Sequence, residues 1–385
     1  VRIAVYCQHV LGMGHLFRTL EILEALSGHE RLLLLGGPDV PVGLPRDVTL
    51  VRLPALSMDA EFAGLSLEGE ALAAVKETRR ALLGKALAAF SPDVFFVEFY
   101  PFGRKAFEFE LVPALEALRR DRPGACRVVC GVRDILVEKK DQAGYEARVL
   151  DRLGRFFDAV CVHGDPSLMP LGATFARAAE IPVPVAYTGY VAAAPGAGCT
   201  RAAVRRRLGV GQGRRLLVAS AGGGKVGSEA LAATLAACAA DAGLADVAVR
   251  VFAGPYCPQE AYAALEDAAS RLPDAVVTRF ADHFPDIVGC ADLSLSLAGY
   301  NTVMTLLASG ARGLVLPFDQ NREQRLRATR LAARGLLGVL EPEELAPARL
   351  AGRITAALAA PPPSKAAVDL DGARKTAALL TSRAF

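Results

Sequence analysis

Between Ala291 and Gln324 the chain reads ADLSLSLAGYNTVMTLLASGARGLVLPFDQNREQ, an order of residues suited to holding a phosphorylated sugar. An apolar strand ends at Ala298 and Gly299. Tyr300, Asn301 and Thr302 then open a helix whose free backbone N–H groups and positive dipole end attract an anion. Asp319, Gln320, Glu323 and Gln324 follow the next strand, acids and amides of the kind that bind hydroxyls. Phosphate would be held at one end of such a pocket and hydroxyls at the other.

Ligands of parallel α/β sheets sit beyond the carboxyl ends of the strands, so the residues just after each strand carry the chemistry. After the first strand come Gly12, Met13, Gly14 and His15, glycines that permit close backbone approach and a histidine at a helix start. A helix N-terminus lowers an imidazole's proton affinity, so His15 would be neutral and able to take a proton near pH 7. Three further strand ends carry Glu98-Phe99-Tyr100, Arg133-Asp134 and His163-Gly164-Asp165. Any of Glu98, Asp134 or Asp165 would serve to orient His15 or to meet a hydroxyl. Tyr100, Arg133, His163 and Asp165, with Gly12, Met13 and Gly14, are candidates for the acceptor side. In the second half Gly222, Gly223 and Gly224 follow a strand and precede a helix, so their N–H groups would line a phosphate. This is not a Walker loop, because Val226 follows Lys225 where Ser or Thr would hold magnesium. Nor is Gly12 to Phe17 a dinucleotide fingerprint, since Phe17 replaces the third glycine. Hydride transfer is thereby disfavoured, and no residues show metal-ligand spacing, so neither cofactor nor metal is expected.

These tips need two parallel sheets to position them. Short apolar runs alternate with segments of helical period, twice over. Strands are expected at Arg2–Cys7, Arg31–Leu35, Val94–Glu98, Arg127–Gly131 and Ala159–His163, then at Leu216–Ser220, Val247–Ala253, Ala275–Arg279, Leu293–Leu297 and Gly313–Leu316. Helices fill the first half at His15–Leu26, Glu68–Phe90, Lys105–Arg120 and Gly144–Phe156. The small residues from Ala192 to Thr200 suit a linker. The domains expected are therefore 1–191, 192–360 and a tail, 361–385, whose helix Val368–Arg383 would pack back on the first domain. The fold class is α/β, two Rossmann-like domains facing across a cleft.

With 385 residues and 52% hydrophobic content the chain can fill well-buried cores. A formal charge of +3, from 44 basic and 41 acidic residues, argues against a nucleic-acid partner. The arginines from Arg201 to Arg215 read as a solvated face. Eight scattered cysteines without a CxxC pair suit reduced, buried thiols in the cytoplasm. The sequence opens on a strand, so no signal peptide is expected in it, and the uncharged stretch from Leu293 to Ala311 is too polar to span a membrane. Peripheral membrane contact is compatible with the chain.

The segments together resemble inverting glycosyltransferases of the GT-B fold, especially the MurG-like group (glycosyltransferase family 28 type) and its bacterial relatives. GMGHLFR looks like that group's N-terminal glycine-rich loop, SAGGGKVGS like the loop opening its donor domain, and VEFYPFGRKAFEFEL, VRDIL, VHGDPSL and YTGYV like segments of the bacterial relatives. GYNT with Gly310, Pro317 and Asp319-Gln320 is similar to the nucleotide-sugar box of plant and antibiotic glycosyltransferases. The resemblance implies a UDP- or dTDP-linked donor, with Phe280 and Ala281 at the base and Gly299, Asn301 and Thr302 on the diphosphate. It leaves open whether Asp319-Gln320 or Glu323-Gln324 reads the sugar. Two positions depart from the pattern. Leu297 replaces a histidine, and Thr305 replaces a glutamate that grips both ribose hydroxyls, which would suit a deoxyribose donor. No pair of glutamates marks a retaining enzyme, so inversion is expected, with His15 as base toward a small-molecule or lipid-linked acceptor. The alternatives are a nucleotide-sugar hydrolase or epimerase of the same fold, or a binder without catalysis.

Overall fold

The computed structural model describes residues 1–9, 13–39, 43–56, 69–196, 198–318, 322–363 and 368–382. It divides into two compact units, Val1–Val191 with Asp371–Phe385, and Ala192–Leu370.

The first unit runs β1 (Arg2–Gln8), α1 (Gly14–Ala25), β2 (Glu30–Gly36), β3 (Val48–Arg52), α2 (Gly69–Phe90), β4 (Val94–Glu98), α3 (Glu108–Asp121), β5 (Arg127–Arg133), α4 (Gln142–Phe156), β6 (Ala159–His163) and β7 (Val185–Tyr187). All its strands are parallel, in the order β3-β2-β1-β4-β5-β6-β7. The central strands read as unbroken apolar runs because helices cover both faces. Ala4, Tyr6, Phe95, Val97, Val128, Cys130, Val160 and Val162 form one core with Leu111 and Leu115 of α3. The C-terminal helix, Gly372–Thr381, belongs to this unit, packs on α1, and accepts a hydrogen bond from Arg127 Nη2 at the Leu380 carbonyl, 2.6 Å away. It starts at Gly372 rather than Val368, after Asp371 bridges to Val191.

The second unit runs α5 (Arg201–Arg207), β8 (Arg215–Ser220), α6 (Ser228–Ala240), β9 (Val247–Phe252), α7 (Gln259–Ser270), β10 (Ala275–Thr278), α8 (Phe284–Cys290), β11 (Leu293–Leu297), α9 (Tyr300–Ser309), β12 (Gly313–Leu316), α10 (Arg322–Ala332), β13 (Gly338–Val339) and α11 (Pro347–Ala359). Its parallel order, β10-β9-β8-β11-β12-β13, repeats that of the first unit. Leu217, Ala219, Val249, Val251, Leu293 and Leu295 fill its core against α6 and α11. Arg201 and Arg205 pair with Asp292, Arg214 with Asp274 and Arg215 with Asp246, so much of the arginine cluster ties this unit together.

In each sheet the chain leaves the strand that comes first in sequence in one direction and returns on its other side, which opens a switch point between β1 and β4 and another between β8 and β11. A crevice beyond the carboxyl ends at such a point is where open α/β sheets bind ligands. Among the described residues no helix is long and apolar enough to cross a membrane.

Candidate active site

His15 lies one residue inside α1, and Glu98 is the last residue of β4, so the two flank the first unit's switch point. The His15 Nδ1 is 2.9 Å from Glu98 Oε1. Arg18, one turn further along α1, donates to the same carboxylate oxygen and lies 3.0 Å from Nδ1. Glu98 is 1% exposed, Arg18 2% and His15 15%. Burial alone would raise the Glu98 carboxyl, yet Arg18, His15 and His163 hold it well below the usual carboxylate range. An ionised Glu98 can only accept, so the tautomer that satisfies it carries its proton on Nδ1 and leaves the lone pair on Nε2, whereas Arg18 by itself would favour the other. Burial, then the Arg104 guanidinium, pushes the imidazole well below its ordinary value against the pull of Glu98. The arrangement is an oriented imidazole, favoured in its neutral form, beside a carboxylate that would balance its cation.

Of the three acids that sequence offers for orienting His15, Glu98 holds the position. Asp134, fully buried, accepts from the Tyr190 hydroxyl at 3.0 Å, and Asp165 accepts from the Ser167 N–H at 2.8 Å, closing its own loop. His163 is buried with Nδ1 3.1 Å from Thr188 Oγ1, and burial brings it down to about 4. Tyr100 lies in the core, its hydroxyl 3.1 Å from Glu108 Oε1. Met13 is buried and Gly14 begins α1, while Gly12 lies outside the described residues. Arg133 stands with its guanidinium 5.4 Å from the Phe99 ring centre, and that ring is 5.0 Å from His15. Sequence reasoning assigned no part to Arg18. Its i, i+3 spacing from His15, which places both on one helix face, was the available signal.

In the second unit the loop after β8 and the start of α9 after β11 flank the other switch point. Gly222, Gly223 and Gly224 form a tight turn, with Gly222 N–H on Ser220 Oγ at 3.1 Å and Gly224 N–H on the Ala221 carbonyl at 3.3 Å. Gly224 has φ +85°, and a Cβ there would stand 2.4 Å from the Ala253 carbonyl oxygen. Gly222 has φ +64° but open space around it. Gly224→Ala is therefore expected to lower stability by more than the roughly 1–2 kcal/mol of a left-handed alanine, and Gly222→Ala by no more than that. Urea midpoints of the two variants check the order.

Gly299 precedes α9, which carries no side-chain cap, so the first-turn N–H groups of Tyr300, Asn301 and Thr302 lie at the positive end of the helix dipole. Ala298 is buried, and Thr305, one turn on, is 5% exposed. Among the described residues no hydrogen bond uses the N–H or C=O of Phe280 or Ala281, which follow β10 and are half-buried. Glu323 sits in the first turn of α10, and Gln324 accepts from the Phe318 N–H at 3.1 Å, leaving its NH2 group as a donor. Asp319 and Gln320 lie outside the described residues. Leu297 packs against the unit's core.

Residues 219–378, most of the second unit and most of the C-terminal helix, match the glycosyltransferase family 28 C-terminal domain. None of the curated proteins matches the chain. Among solved structures, a UDP-glucosyltransferase from Polygonum tinctorium capable of glucosylating indoxyl is similar with a TM-score of 0.61 at 14% identity, over 100% of this chain and 95% of its own. MurG of Acinetobacter baumannii is similar with a TM-score of 0.54 at 15% identity, over 98% and 95%. TcCGT1 in complex with UDP is similar with a TM-score of 0.58 at 14% identity, over 99% and 91%. At these identities the structures speak for the fold, and the matched domain speaks for the chemistry class. The chain has the GT-B fold, and residues 219–378 of it match the glycosyltransferase family 28 C-terminal domain.

Proposed function

We propose that the protein moves a hexosyl group from a nucleoside diphosphate sugar to an acceptor hydroxyl with inversion, His15 taking the hydroxyl proton. The observation that carries this reading is the His15–Glu98 pair at one switch point, in a chain whose other unit matches the glycosyltransferase family 28 C-terminal domain. The hydroxyl oxygen bonds to the anomeric carbon as the C–O bond to the diphosphate breaks, and the proton passes to Nε2. The departing diphosphate takes the electron pair. First-turn N–H groups of α9 would meet that charge, whereas the Gly222 and Gly224 N–H groups are taken up within their own turn; the dipole contributes at most about 2 kcal/mol, and one well-aimed donor about 3–4 kcal/mol. The reading calls for no metal.

Gln324 and Glu323 suit the sugar hydroxyls, and Phe280 and Ala281 offer free backbone groups to a base. Thr305 presents one short, buried hydroxyl where a carboxylate would grip both ribose hydroxyls, which favours a deoxyribose donor. Thermal shift with UDP, dTDP and their glucosyl derivatives tests this, because a ligand that binds the folded state raises its apparent stability. dTDP compounds are expected to raise the midpoint more than UDP compounds. Equal or larger shifts with UDP would reject the deoxyribose preference, and no shift with any of them would reject the donor assignment.

A further inference from the structure

Near the candidate base stands a cation that makes no ion pair among the described residues. Arg104 follows β4 by a short loop and takes the left-handed conformation at φ 62°. Its guanidinium lies 5.7 Å from the centre of the Phe99 ring, the ring that Arg133 approaches to 5.4 Å and His15 to 5.0 Å. Phe99 is itself held at φ +69°, and Gly103 makes room for it: a Cβ at 103 would stand 2.3 Å from the ring's Cε1. The ring is thus fixed among two guanidinium groups and an imidazole. Among the described residues Arg104 makes no ion pair, and its buried Nε has no hydrogen-bond partner. Glu98, the acid at this strand end, already receives Arg18 and His15. Burial, with a smaller push from Arg133 and against the pull of Cys7, Glu98 and Tyr6, brings Arg104 down to about 10, so it remains charged at neutral pH.

A half-buried guanidinium without a counter-charge loses solvation that only an anion restores, and its planar fork matches a carboxylate or phosphate. We propose that Arg104, helped by Arg133, is an anion-binding subsite beside His15 that takes a phosphate or carboxylate carried by the acceptor. The inference rests on the transferase reading and narrows it: the acceptor is acidic close to its reactive hydroxyl, not a neutral sugar or aliphatic alcohol.

The test follows the His15 ring signals of the full-length, histidine-labelled protein by NMR, identified through His15→Gln, as inorganic phosphate or acetate is added. A bound anion favours the imidazolium, so a saturable upward shift of the His15 titration midpoint is expected. Arg104→Gln should weaken that response by about tenfold or more, as loss of a charged hydrogen bond does. Arg133→Gln should weaken it less, and serves if the first variant fails to fold. Response to phosphate alone names a phosphorylated acceptor, and an equal response to acetate names a carboxylate. The response should survive saturating UDP or dTDP, whichever binds more tightly. Displacement by the nucleotide, an unsaturable response, or an undiminished one in the variants overturns the subsite. Absence of nucleotide binding would sink the donor assignment while leaving the anion response to be judged separately.

Discussion

Replacing His15 by alanine is expected to cut turnover about 100- to 10,000-fold, the usual contribution of a positioned general base, while nucleotide binding in the second unit stays unchanged. The two measurements separate a catalytic role from a structural one, since a collapsed site would lose both. Glu98→Gln should produce a smaller but related defect. An amide can still accept from Nδ1–H, yet it cannot balance the charge of the imidazolium, as carboxylate partners of histidine bases do. The pH profile follows in sign from the environment of the ring. Burial and Arg104 place the His15 imidazole well below its ordinary value of 6.5, so the neutral, proton-accepting form persists as the medium turns acid. Turnover should hold level through pH 6.5 and fall only as pH drops through the lowered value. A rate that halves near pH 6.5 or above would assign that titration to another group.

Glu110→Ala is expected to be the most destabilising single change in the first unit, by about 3–5 kcal/mol, because it leaves a buried guanidinium without its counter-charge. Glu110 of α3 accepts from Arg79 Nε at 2.8 Å and Nη2 at 2.6 Å, and from the Tyr6 hydroxyl at 2.5 Å. Both side chains of the ion pair are fully buried. Arg79, on α2, also donates to the Gln8 Oε1 at 2.7 Å and the Pro54 carbonyl at 2.6 Å, and Gln8 donates to the His9 carbonyl at 2.8 Å. The network therefore joins two helices to the end of β1, the strand that leads toward His15. Its loss should loosen the start of the site as well as the core. The double variant Arg79→Met, Glu110→Leu should lose less than Glu110→Ala, since removing both charges leaves no unpaired ion. Urea unfolding of the first unit, followed at fixed pH, measures the order; equal losses would mean that the ion pair is not what the core depends on.

The central strands were legible because they are apolar runs bounded by turn residues: β4 and β6 fall on the expected residues, and β1, β5 and β8 within two. The two edge strands of the first sheet were not, although β10, an edge of the second, lies within one residue of the expected strand. Val48–Arg52 carries exposed and half-buried residues and Val185–Tyr187 is three residues long, so neither has the pattern of a doubly covered strand. Lys105–Arg120 read as one helix, whereas a 3-10 turn over Lys105–Phe107 precedes α3. At the site, His15 and Glu98 were visible as polar residues at strand ends, since topology alone brings such ends together. Arg104 was not, because its place beside His15 depends on a positive φ at Phe99 and on the bare Cα of Gly103, which no periodicity announces. Tyr100 illustrates the opposite error: it shares the strand-end sequence, but its ring points into the core.

The claim on which the account most depends is that the second unit seats a diphosphate at the start of α9. A crystal structure with bound UDP or dTDP tests it directly. The phosphates are expected against the N–H groups of Gly299, Tyr300, Asn301 and Thr302, with the base beside Phe280 and Ala281. A nucleotide seated elsewhere, with that helix end still in water, would contradict it.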